Sequence, residues 1–355
     1  MKNFFSTRKG IIITGLVIGI IAATLQFFGN PANMGICVAC FERDIAGAIG
    51  LHKAGVVQYI RPEIIGILLG AFIISMWKKE FKPRGGSSGI IRFFLGIFAM
   101  IGALVFLGCP WRASLRLAGG DLNAITGLAG LITGIAIGVF FIKKGFSLGR
   151  SYQQKGKLNG YIMPAFMIIL FLFLIFNFSK IVLSTSGPGS QHAAIWISLV
   201  AGLIIGGLAQ RSRFCTMGSF RDILMIRDFH LFFGVISFII AAFIMNLIFG
   251  QFNPGFEGQP IAHTMHLWNF LGMVLSGLAF ALAGGCPGRQ LILCGEGDGD
   301  SGIFIFGMLT GAAFAHNFSL ASSGKGIGEF GAYATIIGII FCFVVGITMI
   351  ERRKV

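Results

Sequence analysis

Five stretches of this 355-residue chain, 10–28, 92–107, 124–142, 161–178 and 231–250, are almost continuously apolar. Each approaches the roughly 20 residues that an α-helix needs to cross about 30 Å of hydrocarbon. Backbone in hydrocarbon must satisfy its own hydrogen bonds, so segments of this kind cross as helices. With 55% apolar and 12% charged side chains, nothing outside these runs is long enough to build a large soluble core. The chain is therefore read as an all-α polytopic membrane protein. About ten crossings are predicted, at 10–28, 61–77, 92–108, 123–142, 161–183, 192–210, 230–249, 267–285, 302–320 and 328–350.

The net charge of +15 would suit a nucleic-acid binder, but the distribution of the charge argues for topology instead. In the ten-crossing count, one side of the membrane receives Lys2, Arg8 and Lys9, then Lys78, Lys79, Lys82 and Arg84, then Lys143, Lys144, Arg150, Lys155 and Lys157, and finally Arg352, Arg353 and Lys354. The opposite segments 184–191 and 251–266 carry no Lys or Arg. Basic residues collect on the cytoplasmic side, so both termini are expected in the cytoplasm of a bacterial inner membrane. The first 28 residues have the look of a secretory signal. They are read as a retained first helix, because they align with 194–210 as the opening helix of a repeat.

That repeat is the second constraint. Gly108-Cys-Pro-Trp-Arg-Ala-Ser-Leu-Arg-Leu-Ala-Gly-Gly-Asp121 returns as Gly285-Cys-Pro-Gly-Arg-Gln-Leu-Ile-Leu-Cys-Gly-Glu-Gly-Asp298, identical at six of fourteen positions. Gly130, Thr133 and Gly134 return as Gly307, Thr310 and Gly311 at the same offset of 177. Cys37-Val-Ala-Cys-Phe-Glu-Arg-Asp-Ile45 aligns with Cys215-Thr-Met-Gly-Ser-Phe-Arg-Asp-Ile223. The chain divides into a first repeat (1–160), a connecting helix and Gly/Ser/Pro linker (161–191), and a second repeat with a C-terminal helix (192–355). Four crossings plus one connecting helix make the second repeat enter from the opposite side. This predicts inverted-topology repeats, two mirrored bundles, with the substrate site at the interrupted Gly/Pro segments that correspond between them.

Each interrupted turn offers a thiol, backbone freed by Gly or Pro, and an arginine. Pro after Cys109 and Cys286 cannot donate a hydrogen bond and biases the preceding residue away from the helix, leaving the thiol on a bend. Arg43, Arg112, Arg221 and Arg289 follow the four repeat cysteines closely, and Asp44 and Asp222 are their expected ion-pair partners. A guanidinium beside a thiol attracts an anion or favours the thiolate. Cys37, Cys109, Cys215 and Cys286 are the candidate substrate thiols, Arg112 and Arg289 the candidate anion partners. Cys40 and Cys294 lack cysteine counterparts and join the candidates as extra thiols. Cys342, alone in an apolar helix, reads as a small hydrophobe.

Other chemistries fare worse. Only Cys37 and Cys40 have CxxC spacing, which gives one alternative, a membrane thiol–disulfide oxidoreductase. No zinc spacing or Walker A sequence is present, and the histidines show no metal pattern. A cation channel needs acidic rings, and only Glu296, Asp298 and Asp300 cluster. No proton-carrying carboxylate stands out within a crossing. The reading is transport rather than catalysis, with no cofactor and no metal.

The paired Arg-Asp and Gly-Cys-Pro-x-Arg turns, in an apolar chain of this size, resemble the YeeE/YedE family of sulfur-compound transporters over nearly the whole length. The look of residues 29–44 and 284–300 is most like the branch assigned to selenium transport. The resemblance implies an hourglass of inverted halves, with short re-entrant helices meeting at a constriction. It implies that thiosulfate or a related anion is handed along Cys37, Cys109, Cys215 and Cys286 by S–H···S hydrogen bonds. It also implies a small cytoplasmic sulfurtransferase-like (TusA-like) partner that receives the sulfur or selenium. The extra thiols Cys40 and Cys294 leave sulfur and selenium both open.

Overall fold

The computed structural model describes residues 4–156 and 158–351. Lys2, Lys157, Arg352, Arg353 and Lys354, used in the topology argument, lie outside the described residues. The chain forms fourteen α-helices among those residues. The first half contains α1 (Arg8–Phe27), α2 (Val38–Ala48), α3 (Pro62–Trp77), α4 (Gly89–Phe106), α5 (Pro110–Ala118) and α6 (Asn123–Lys143). After α7 (Leu158–Ile175) the second half contains α8 (Ile195–Ser212), α9 (Thr216–Ile226), α10 (His230–Ile248), α11 (His266–Ala283), α12 (Pro287–Gly295) and α13 (Gly299–Asn317). The last helix is α14 (Gly331–Thr348). Sheet is confined to one ribbon of two-residue strands, β1 (Arg84–Gly85) and β2 (Tyr152–Gln153).

Eight helices among the described residues are long and apolar enough to cross a membrane, as an all-α polytopic protein requires. Of the ten expected crossings, α3 has 16 residues and α13 begins on the polar run Asp298–Ser301, so these two fall outside the eight. The fifth crossing stops at Ile175 rather than running to 183, because Asn177 turns to a left-handed φ of 47°.

Two sequence readings change in three dimensions. The cysteine turns are mostly helix: α2, α5, α9 and α12 are short helices of 9 to 11 residues. Proline at the first helical position, where its missing N–H costs nothing, starts α5 and α12 rather than breaking a helix there. The halves also do not stand as two separate bundles. The most extensive pairings cross between them: α1 with α10, α3 with α8, α4 with α13 and α6 with α11. Exchanging the halves maps this set onto itself, the signature of a two-fold axis. Glycines shared by the repeats make the crossings close. A Cβ on Gly311 of α13 would come within 2.6 Å of the Ile97 carbonyl oxygen, and its counterpart Gly134 of α6 meets the Val274 carbonyl. Ile97 and Val274 are themselves separated by the repeat offset. Small residues at such crossings let helix backbones touch where lipid supplies no hydrophobic drive for association.

Candidate functional site

The four repeat cysteines share one structural position: each is the N-cap of a short helix. Cys37 caps α2, Cys109 caps α5, Cys215 caps α9 and Cys286 caps α12, all with extended backbone. The first turn of a helix carries N–H groups without intrahelical partners and the positive end of the helix dipole. The sulfurs of Cys37 and Cys215 take up one such N–H each, from Cys40 at 3.3 Å and Gly218 at 3.2 Å. Cys109 and Cys286 make no such cap bond, and proline occupies the first helical position after each.

The thiols pair within each half. Cys37 Sγ lies 3.9 Å from Cys109 Sγ, and Cys215 Sγ lies 3.6 Å from Cys286 Sγ. All seven cysteines are free thiols and buried. Between the pairs, Trp111 of α5 packs on Gly288 of α12, whose Cβ would sit 2.8 Å from the indole ring. Trp111 and Gly288 are repeat counterparts, and a residue that touches its own counterpart lies at the axis relating the two halves. Cys109 and Cys286 flank that contact and are within electrostatic range of each other. The indole also packs toward Phe214, next to Cys215, with ring centroids 5.9 Å apart.

One end of this arrangement is open. A cavity of roughly 1040 Å³ reaches Cys215 and Gly218 at its floor. Its walls carry Lys79, Lys82, Arg213, Arg221 and Arg289, more cations than acids. Burial opposes ionisation of Glu80 at the rim, yet hydrogen bonds from Gln210 and Arg211 outweigh it and hold the carboxyl below its ordinary value. The other end is covered. Arg61 donates to the carbonyls of Pro188 and Gln191, and Arg112 to those of Ile261 and Asn33, pinning the segments 184–191 and 251–266 to the half in which Cys37 and Cys109 are buried.

The candidate arginines separate accordingly. Arg112 is wholly buried, and its guanidinium is spent on backbone carbonyls, including that of Leu107, and on Cys40 Sγ at 3.5 Å. Leu107 holds a left-handed φ of 64° where the second half has Gly284, so Arg112 also clamps a strained bend. Arg289 faces the open cavity, with only a loose ion pair to Glu296 at 3.4 Å. The expected Arg–Asp pairs are present. Asp44 binds Arg43 at 2.6 Å and Arg61 at 2.7 Å, and Asp222 binds Arg221 at 2.8 Å. Cys294 is buried in the last turn of α12, away from the two thiol pairs by chain position. No cluster of metal-ligating side chains exists among the described residues.

Two residues escaped the sequence reading. Trp111 fills the axis, and its signal was the Trp-to-Gly exchange inside the repeated Gly-Cys-Pro-x-Arg turn. Glu42 on α2 is buried with neither carboxyl oxygen bonded. Its signal was an acid aligned with Phe220 directly before the shared Arg-Asp-Ile.

These features define an all-α polytopic membrane protein that buries paired thiols at a two-fold axis below an electropositive cavity. Residues 211–349, within the second half, match the family model described as Sulphur transport, in line with the resemblance to the YeeE/YedE family. It is similar to the thiosulfate transporter TsuA of Spirochaeta thermophila, 30% identical over 103 residues, covering 29% of this chain and 31% of that protein. It is also similar to TsuA of Escherichia coli K12, 28% identical over 117 residues, covering 33% of this chain and 32% of that protein. Each match thus spans about a third of the curated relative.

Proposed function

We propose that this protein carries a small soft chalcogen anion, thiosulfate or a selenium analogue, inward across the bacterial cytoplasmic membrane along Cys37, Cys109, Cys286 and Cys215. One observation carries the reading: four thiols, each at a helix N-terminus, form two close pairs on either side of the axis. Such an anion has a soft chalcogen end and a hard oxygen end. A thiol is a weak donor suited to the soft end, and the helix N-terminus beside it suits the oxygens. Weak sites in series let an anion enter without being trapped. Arg289 draws the anion toward the open cavity, while Arg112 acts through the bend it clamps and through Cys40.

The open cavity is assigned to the cytoplasm, because Lys79 and Lys82 line it and basic loops stay on that side. Both termini share that face in this assignment. The cavity mouth is also where a small TusA-like sulfurtransferase would collect the cargo.

The experiment is uptake into proteoliposomes of the purified full chain. Radiolabelled thiosulfate is expected to accumulate in them well above protein-free vesicles; equal accumulation ends the transport reading. The side assignment has its own check. A charged, membrane-impermeant thiol reagent applied to inside-out vesicles should modify Cys215 first, since it floors the cavity and Cys37 and Cys109 are covered. Mass spectrometry that finds Cys37 modified ahead of Cys215 reverses the assignment.

A further inference from the structure

Among the described residues, Glu42 is the one buried carboxyl group with neither oxygen bonded. It lies five residues beyond Cys37, is 1% exposed, and bonds nothing through either oxygen. The adjacent Arg43 does not help it. Asp44 takes Arg43 through Nε and Nη2 and takes Arg61 as well. In the second half the same Arg221–Asp222 pair stands alone, with Phe220 at the position of Glu42. The pair therefore holds the short helix in both halves, and the acid is an addition to one of them. A phenylalanine would fill that core position at no electrostatic cost.

An ionised carboxylate without a partner costs many kcal/mol in an apolar interior, and such a group sheds its charge instead. The neutral acid keeps one O–H donor, and no protein atom receives it. Its location is equally specific. Cys109 acts on Glu42 electrostatically, and Glu42 acts on Cys294 of α12. The carboxyl sits on α2, whose N-cap Cys37 pairs with Cys109 and which packs against α12 and α13 of the second half. Cys294, like Glu42, has an apolar counterpart, Leu117.

We propose that protonated Glu42 donates a hydrogen bond to the oxygen end of the anion as it passes from Cys109 to Cys286, so that anion binding and protonation of Glu42 are linked. This rests on the soft-anion reading above. Ionised Glu42 repels the anion, whereas neutral Glu42 donates to it. By reciprocity the bound anion holds the proton in place. Affinity therefore falls as pH rises through the ionisation of Glu42, and binding above that point takes up about one proton.

The other charged or titratable groups around α2 are engaged elsewhere. On α2 itself Cys37 pairs with Cys109, Cys40 faces Arg112, and Arg43 and Asp44 bind each other. From α3, Glu63 accepts from Asn30 and Ser198, and Arg61 is held by Asp44. From α4, Arg92 donates to Ser87 and the Ala283 carbonyl. From α13, Asp300 accepts from Ser87, and His316 lies tilted against His52 with its Nε2 unbonded. From α12, Cys286 pairs with Cys215 and Arg289 with Glu296. Cys109 remains as the neighbouring group that acts on Glu42.

The test is calorimetric titration of the purified full chain in detergent with thiosulfate, and in a second arm selenosulfate. It is run across pH in two buffers of different ionisation heat. The parent should lose about tenfold in affinity per pH unit above the ionisation of Glu42 and take up close to one proton per anion. Glu42→Gln should bind as the parent does at low pH, with no proton uptake and no pH slope. Glu42→Phe, the residue tolerated in the other half, should fold and bind about tenfold more weakly at low pH. Proton uptake by Glu42→Gln equal to that of the parent overturns the proposal. So does parent-like affinity in Glu42→Phe, or a parent that binds neither anion. A parent that binds with proton linkage yet fails to accumulate thiosulfate in vesicles sinks the transport reading alone.

Discussion

Replacing Cys109 or Cys286 with alanine should cut thiosulfate uptake by about one to two orders of magnitude while leaving the protein folded in the membrane. Both thiols are 1% exposed and flank the Trp111–Gly288 contact at the axis. Each is paired with another thiol, a weak hydrogen-bond partner that a passing anion can replace. A lost donor at a buried site is worth about 1–2 kcal/mol, and each 1.4 kcal/mol on a barrier is a factor of about ten. Alanine removes little volume, so Pro110 and Pro287 still start their helices. Cys342→Ala, on α14 and remote from all four short helices in the packing order, should transport as the parent does. Initial rates in proteoliposomes, normalised to inserted protein, check the series. Parent-like rates in both axis variants would remove the thiols from the path.

The second large effect is on the fold. Asp44→Ala strips the carboxylate from two arginines at once, Arg43 and Arg61, which are 2% and 0% exposed. Removing one partner of a buried ion pair costs about 3–5 kcal/mol, because the other charge stays buried and uncompensated. Here two charges are orphaned. Arg61 also pins the segment 184–191 through Pro188 and Gln191, so that segment should loosen with it. The expected result is a collapse in the yield of monodisperse protein and a strongly lowered unfolding temperature in detergent. The equivalent Asp222→Ala should be far milder, since Arg221 is about a third exposed and can be hydrated. Equal stability of the two variants would contradict this reading of the asymmetry.

Much of the architecture was legible beforehand for a simple reason. Apolar runs of membrane length report on the solvent around a helix, and a duplicated Gly-Cys-Pro-x-Arg turn reports on symmetry. Neither needs knowledge of neighbours. The ends of helices were less legible, because Asn177 and the cysteine N-caps are set by local dihedrals that hydrophobicity does not encode. Arg112 and Arg289 illustrate the limit at the site. They occupy matching positions in the repeat, yet one is consumed by the carbonyls of Leu107, Asn33 and Ile261 and the other faces the open cavity. Which carbonyls surround a guanidinium depends on loops distant in the chain.

Alone, the sequence determined that the chain crosses a membrane many times as helices, that it is a duplication, and that its thiols recur at helix breaks. These follow from composition and order, which act through local hydrogen bonding and solvation. Only the tertiary structure decided that the halves interlock, that the cysteines pair as Cys37 with Cys109 and Cys215 with Cys286, that Trp111 meets Gly288 at the axis, and that Asp44 takes both arginines and leaves Glu42 with none. Apart from those of Asp44, these are contacts between residues about 70 to 180 positions apart. They are fixed by how helices with glycine faces fit together, not by what any one segment prefers.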